Sequence, residues 1–319
     1  MELRYTGSAP EREIFQAFHE TMEELFREDE KVVYLDADLM GSLKTQDLWR
    51  KYPQKVFNTG IQEANMVGVA CGLYLAGYKP YIHSFAPFVS RRTFDQVFLS
   101  VGYAKKSVRI VGSDAGIMAT DNGGTHMCFE DMAMMRAVPG ACVVDVSDPE
   151  MFSFLLKATK DRPGLTYFRT ARRNVPDIYP RGTRFEIGKG KILKEGNDVS
   201  IIASGVMAAT ALEAARLLEG EGIHARVADP VTVKPLDTEL VRACAEETRA
   251  IVTAENHNVI GGLGSAVADY LSEACPTRVL RVGVQDSFGQ VGPEAYLREA
   301  YHLNACDIAE KARQALNRK

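Results

Sequence analysis

The chain has 319 residues, 46% of them hydrophobic, with 38 Lys and Arg against 42 Asp and Glu and a formal net charge of -4. That length can bury ample core and suggests two domains; the interspersed charges form neither a basic stripe for nucleic acid nor a polybasic patch for a membrane. Met1 to Glu13 lacks the apolar core of a signal peptide and no run of eighteen apolar residues occurs, so a cytoplasmic location is expected. Cys71, Cys128, Cys142, Cys244, Cys275 and Cys306 show no CxxC pair and no histidine at metal-ligand spacing, so reduced thiols that fill core are expected.

Ile14, Phe15, Phe18, Met22 and Leu25 recur at helical spacing behind Pro10, Glu11 and Glu13, predicting a first helix over Ile14 to Phe26. Lys31 to Leu35 reads as a buried strand, and Asp36 to Ser42 as the loop at its C-terminal end, where open parallel α/β sheets carry their ligands. Phe57 to Met66 is a loop that delivers Glu63 to the start of a nearly uncharged helix ending at Gly77. Ala64, Gly68, Gly72 and Ala76 draw a smooth ridge at four-residue spacing along that helix, open to close approach by another. Glu63 is expected where two helices cross. It has two readings. A first-turn carboxylate complements the helix dipole for roughly 0.3–1 kcal/mol, or burial keeps it protonated so that it serves a ring nitrogen.

Lys79 to Ser84 is the next strand, followed by Phe85-Ala86-Pro87-Phe88 and a helix from about Arg91 that carries Phe94, Val97 and Phe98 inward. After the strand Val108 to Gly112, a long loop from Ser113 to Thr125 ends at His126, and a loop of that length is usually functional or mobile. Glu130 to Arg136 and Pro149 to Thr159 read as helices, Ala141 to Val146 and Leu165 to Arg169 as strands. Alternation of strand and helix predicts a parallel sheet covered on both faces. Asn174 to Arg184, with Pro176 and Pro180, reads as a linker. A second α/β unit follows: strand Val199 to Gly205, helix Ala208 to Leu218, and strands at His224–Ala228, Ala250–Ala254 and Arg278–Val282. Gly261 to Ser265 has the look of a phosphate-cradling turn without the Lys-Ser/Thr of a P-loop, and plain close packing is the alternative.

Several motifs in order resemble the pyrimidine-binding domain of transketolases: Ile61-Gln62-Glu63-Ala64-Asn65-Met66, Ser84-Phe85-Ala86-Pro87-Phe88, Phe94-Asp95-Gln96-Val97, Asp121-Asn122-Gly123-Gly124-Thr125-His126 and Glu130-Asp131-Met132-Ala133-Met134-Met135-Arg136. The remainder, including Thr253-Ala254-Glu255-Asn256-His257 and Gly261-Gly262-Leu263-Gly264, resembles their C-terminal domain. The resemblance covers essentially the whole chain. It implies two doubly wound α/β domains, 1–178 and 187–319, and a thiamine diphosphate enzyme that transfers a two-carbon ketol unit from a ketose to an aldose.

By that resemblance Glu63 is the carboxyl group at the cofactor's aminopyrimidine, and Phe85 and Phe88 are the aromatics beside it. Asp38, with Leu39, is a cofactor-side position whose plainer reading for Asp38 is a helix cap. His126 is a substrate-facing imidazole that shuttles protons. Arg12, Ser42 and Arg172 fall where the family grips a sugar phosphate. The Gly-Asp-Gly turn that holds Mg²⁺ and the cofactor diphosphate is not found in the sequence. The chain therefore resembles the C-terminal subunit of a split transketolase whose N-terminal partner supplies that site, with a heterotetramer expected. Two positions depart from the pattern. Asn122 stands where an aspartate usually meets the donor hydroxyl, and Asp114 where a histidine usually helps bind phosphate, which points to a ligand other than a standard pentose phosphate. Two alternatives stay open: the β chain of a 2-oxo acid dehydrogenase or a 1-deoxyxylulose-5-phosphate synthase, and a non-catalytic binding subunit.

Overall fold

The structure, a computed structural model, describes residues 3–173 and 175–317. Among the described residues twelve strands carry the fold: β1 (Val32–Asp36), β2 (Val56–Asn58), β3 (Lys79–Phe85), β4 (Arg109–Ser113), β5 (Cys142–Asp145), β6 (Thr166–Arg169), β7 (Lys191–Lys194), β8 (Val199–Ala203), β9 (Ala225–Asp229), β10 (Thr232–Lys234), β11 (Ile251–Asn258) and β12 (Val279–Val284). They form two sheets, seven strands in the order β10-β5-β6-β4-β3-β1-β2 and five in the order β12-β11-β8-β9-β7. All pairings are parallel except those of β10 with β5 and of β7 with β9 at the sheet edges. Every residue of β1, β4, β5, β6, β8 and β9 is buried, as expected where helices cover both faces.

The first helix runs Ile14–Glu28, two residues beyond the expected end, and the Gln16 side chain closes back on the Glu13 N–H at 2.8 Å. Its buried stripe stacks Phe18 on Phe152 of the helix Pro149–Ala158, with ring centroids 5.9 Å apart. The helical segment after β3 begins at Ala86, earlier than expected, and passes through 3-10 and π turns before ending at Tyr103. Wide π turns delay the phase of the side chains. Val97 and Val101 point inward while Phe98, expected inward, is exposed.

The two sheets are tied together. β10 belongs to the second half of the chain but extends the first sheet. Arg169, only 2% exposed, pairs with Asp131 at 3.0 Å and Asp145 at 3.3 Å and donates to the carbonyl of Asn256 on β11. Ser204 donates to Asp145 at 2.7 Å from the other side. Charges this deep are tolerated only when paired and hydrogen-bonded. The expected linker is packed rather than loose over residues 175–184. Its Ile178 and Tyr179 N–H groups donate to Asp148, and the Tyr179 hydroxyl donates to Asp229. Asn174, the first linker residue, lies outside the described residues.

At the Gly261 to Ser265 turn the Glu255 carboxylate accepts the Leu263 and Gly264 N–H groups at 2.6 and 2.9 Å. A Cβ on Gly262 would collide with that carboxylate. The helix N-terminus is thus already occupied by a side chain, and close packing is the reading that holds.

Candidate active site at the strand ends of the first sheet

Parallel strands place the C-terminal ends of β1, β3 and β4 along one edge, and the functional side chains gather there. Glu63 is the first residue of the helix Glu63–Leu75 and is 3% exposed. Ser84, near the end of β3, donates to its Oε1 at 3.2 Å, and the Arg92 Nη1 contacts both of its oxygens at 3.1 Å. The Arg92 guanidinium also lies 3.9 Å from the centroid of the Phe88 ring. Phe88 and Phe85 meet at 6.0 Å, and His126 stands edge-on to both, 5.0 Å from Phe88 and 6.0 Å from Phe85. A buried carboxyl group, two aromatic rings and an imidazole from three separate stretches of the chain therefore form one continuous surface.

Arg92 is the member that the sequence reading missed. It follows Phe88 by four residues, the spacing at which helical side chains meet, and that spacing was the available signal. The ridge expected to receive a crossing helix is open on this chain. Gly68 and Gly72 are exposed, and a Cβ on either would meet nothing within 4 Å, so the ridge faces outward.

Asp38 is exposed and adopts a left-handed backbone with φ 64. Its carboxylate accepts from the Asn58 side chain at 2.9 Å, and its N–H donates to the same amide at 3.1 Å. It shapes a turn rather than capping a helix. Leu39 is half-buried, and its N–H donates to Asp36. Ser42 turns its hydroxyl back onto the Leu39 carbonyl at 2.8 Å.

Asp114 and Arg172 come together in a cleft of about 250 Å³ shared with Met118, Thr120, Asp121, Arg173 and Glu294. Arg172 Nε lies 3.2 Å from Asp114 Oδ1; the contact has ion-pair distance without hydrogen-bond alignment. Burial pushes the Asp114 carboxyl up from its ordinary value despite the opposing pull of Arg172, Ser113, His83 and Arg173. Arg12 is engaged elsewhere. Its guanidinium donates to the Pro149 carbonyl, Ser153 and Glu20 at 3.0–3.1 Å, fastening the chain start to a neighbouring helix. Asn122 is exposed at the tip of the loop that His126 ends. That loop is largely buried along 113–119, where the Asn256 side chain accepts from the Ile117 N–H at 3.0 Å and donates to the Ala115 carbonyl at 3.2 Å.

Two family models match, the transketolase pyrimidine-binding domain over residues 11–177 and the transketolase C-terminal domain over residues 188–308. The chain belongs to the transketolase family. Among similar proteins, the 6-deoxy-6-sulfo-D-fructose transketolase subunit SqwH of a Clostridium species is 45% identical over 93% of this chain and 92% of its own length. One of the subunits of the apulose-4-phosphate transketolase of Phocaeicola vulgatus is 35% identical over 85% of this chain and 87% of its own. A solved split-gene transketolase, described as an inactive beta4 tetramer, superposes with a TM-score of 0.87 at 42% identity, covering 95% of this chain and 98% of that one. These two relatives are named as transketolase subunits, and the solved neighbour as a split-gene transketolase. No helix among the described residues is long and apolar enough to cross a membrane.

Proposed function

We propose that this chain is the C-terminal subunit of a split, thiamine diphosphate-dependent transketolase, a cytoplasmic ketol transferase active only beside an N-terminal partner that holds the cofactor diphosphate and Mg²⁺. Two copies of each chain would form a heterotetramer through the outward ridge of the Glu63 helix. The observation that carries this reading is the joining of Glu63, Phe85, Phe88 and His126 into one surface. That donor set fits an aminopyrimidine, which needs a carboxyl group at one ring nitrogen and apolar ring faces beside it. When bound, thiamine diphosphate supplies the nucleophilic carbon and electron sink that cleavage next to a carbonyl requires.

The chain's own residues then divide the work. Glu63 holds and moves a proton at the ring nitrogen, steadied by Ser84, while Phe85 and Phe88 orient the ring. His126 moves a proton at a substrate oxygen. Asp38 and Leu39 line the cofactor side from the turn after β1, and Asn122 meets a donor hydroxyl. Arg172, with Asp114 against it, holds the far end of the sugar. Arg12 and Ser42 join Arg172 in gripping that end of the sugar.

The relatives' substrates, as named, carry a sulfonate or a phosphate. We assign this chain an anionic ketose donor of that kind rather than a plain pentose phosphate, because the similar subunits are named for such donors and the Arg172 site carries Asp114 beside it, a departure from the family pattern. The test is turnover of sulfonated and phosphorylated ketoses by the reconstituted complex. Efficient use of 6-deoxy-6-sulfofructose or a branched-chain ketose phosphate supports the assignment. Efficient transfer from xylulose 5-phosphate to ribose 5-phosphate, with no gain from Asp114→His, removes it. A 1-deoxy-D-xylulose-5-phosphate synthase of Heliobacterium modesticaldum is also similar, at 35% identity, with this chain matching 46% of its length. Pyruvate decarboxylation by the complex would favour that reaction instead.

A further inference from the structure

Asp114 is one end of a buried line of polar side chains that crosses three neighbouring strands. At the other end Asp36, the last residue of β1, accepts the Tyr34 hydroxyl at 2.6 Å and faces Nδ1 of His83 on β3 at 2.7 Å. The other Asp36 oxygen takes the Leu39 N–H, which fixes the turn carrying Asp38. His83 Nε2 lies 2.9 Å from the Oγ of Ser113, the last residue of β4, and that Oγ lies 3.0 Å from Asp114 Oδ2. Asp36, His83 and Ser113 are fully buried and Asp114 is 5% exposed.

Counting protons along this line exposes a conflict. An ionised Asp36 only accepts, so Nδ1 of His83 must carry a proton. A neutral imidazole then offers a lone pair at Nε2 and needs the Ser113 proton. An ionised Asp114 needs the same proton, and a hydroxyl has only one. Both short contacts are satisfied together only when the line holds one proton more, either on Nε2 or on Asp114. Without it a buried lone pair faces a lone pair, and the full penalty of an unmade hydrogen bond falls due. Burial acts in the same direction by raising Asp114.

We propose that Asp36, His83, Ser113 and Asp114 share one extra proton, and that it moves outward to leave Asp114 uncharged when an anionic substrate group settles on Arg172. This rests on the reading of the Asp114–Arg172 cleft as the substrate's anion site. The transfer balances. The Nε2–H bond breaks as that proton passes to Ser113 Oγ, and the original Ser113 proton passes to Asp114 Oδ2. His83 becomes neutral and the carboxylate becomes a carboxylic acid. His83 is a positioning residue, since it acts on the ligand only through Ser113 and Asp114. The charged and titratable groups facing the line are Tyr34 and Asp36 on β1, Arg172 and Arg173 after β6, and Asp121 and Glu294 across the cleft.

The test is calorimetric binding of inorganic sulfate to the full chain from about pH 6 to about pH 9, in buffers of different ionisation heat; sulfate keeps its charge across this range, so any pH dependence belongs to the protein. Once rising pH within this range has removed the shared proton from the free chain, wild type should take one proton up from solvent on binding and lose affinity with further rise in pH, by up to about tenfold per pH unit for one coupled proton. Asp114→Asn, which is permanently uncharged, should bind tightly without pH dependence, and His83→Gln should move the fall in affinity to lower pH. Sulfate binding that needs Arg172 yet shows neither proton uptake nor pH dependence leaves the cleft standing and overturns the shared proton. Sulfate binding that is absent, or unchanged in Arg172→Ala, overturns the anion-site reading and the proposal with it.

Discussion

Replacing Glu63 by Gln separates chemistry from architecture at one atom. The amide keeps an oxygen for Ser84, now at 3.2 Å, and roughly the same volume in a site that is 3% exposed. It loses the ion pair with Arg92, whose side chain is 48% exposed and can turn to water. Solvent screening limits that loss to at most about 1 kcal/mol. The chemical loss is larger. A positioned acid–base group contributes about 10²–10⁴-fold, and a hundredfold corresponds to about 2.7 kcal/mol on the barrier. Turnover of the reconstituted complex should therefore fall at least about a hundredfold, while size-exclusion chromatography and thermal melting of the variant stay close to wild type. Turnover within about threefold of wild type, far inside the range for a lost acid–base group, would refute the role given to this carboxyl group.

Gly68→Leu should leave the chain folded, because its side chain points into open space and leucine suits a helix better than glycine. It should nonetheless yield smaller assemblies by light scattering, and a fully assembled, active variant would count against the ridge as an interface. Glu255 titrates in the folded protein at about 7, raised from 4.5 by burial against the pull of two backbone N–H groups. A raised carboxyl stabilises the fold fully below its unfolded value, and that contribution is lost as pH rises toward 7, by up to about 3 kcal/mol. Stability measured by denaturant between about pH 4.5 and about pH 7 should thus decline more steeply in wild type than in Glu255→Gln. Parallel slopes would show that this carboxyl does not titrate in that window.

Much of the first sheet was legible because its buried strands are short apolar runs separated by helices with clear stripes. β7 and β10, four and three residues long, were not. Strands so short carry no period, and β10 is defined by its partner β5 from the other half of the chain. Glu63, Phe85, Phe88 and His126 were legible as a set only through the family pattern, since nothing in their spacing brings a residue at 63 to one at 126. The line from Asp36 to Asp114 was invisible for a related reason. His83 looks like one more strand residue until register sets it opposite Asp36, and Phe85 opposite Ser113. Phe98 misled because the helical period assumed for it gives way to π turns.

The central claim is that this chain brings the carboxyl group and aromatic wall to a cofactor whose diphosphate another chain holds. Exchange of the thiamine diphosphate C2 proton with deuterated solvent, followed by NMR, tests it most directly. This chain alone should leave exchange at the rate of free cofactor, and addition of an N-terminal partner with Mg²⁺ should accelerate it strongly in wild type but not in Glu63→Gln. Fast exchange with this chain alone, or with the partner and Glu63→Gln, would contradict the account.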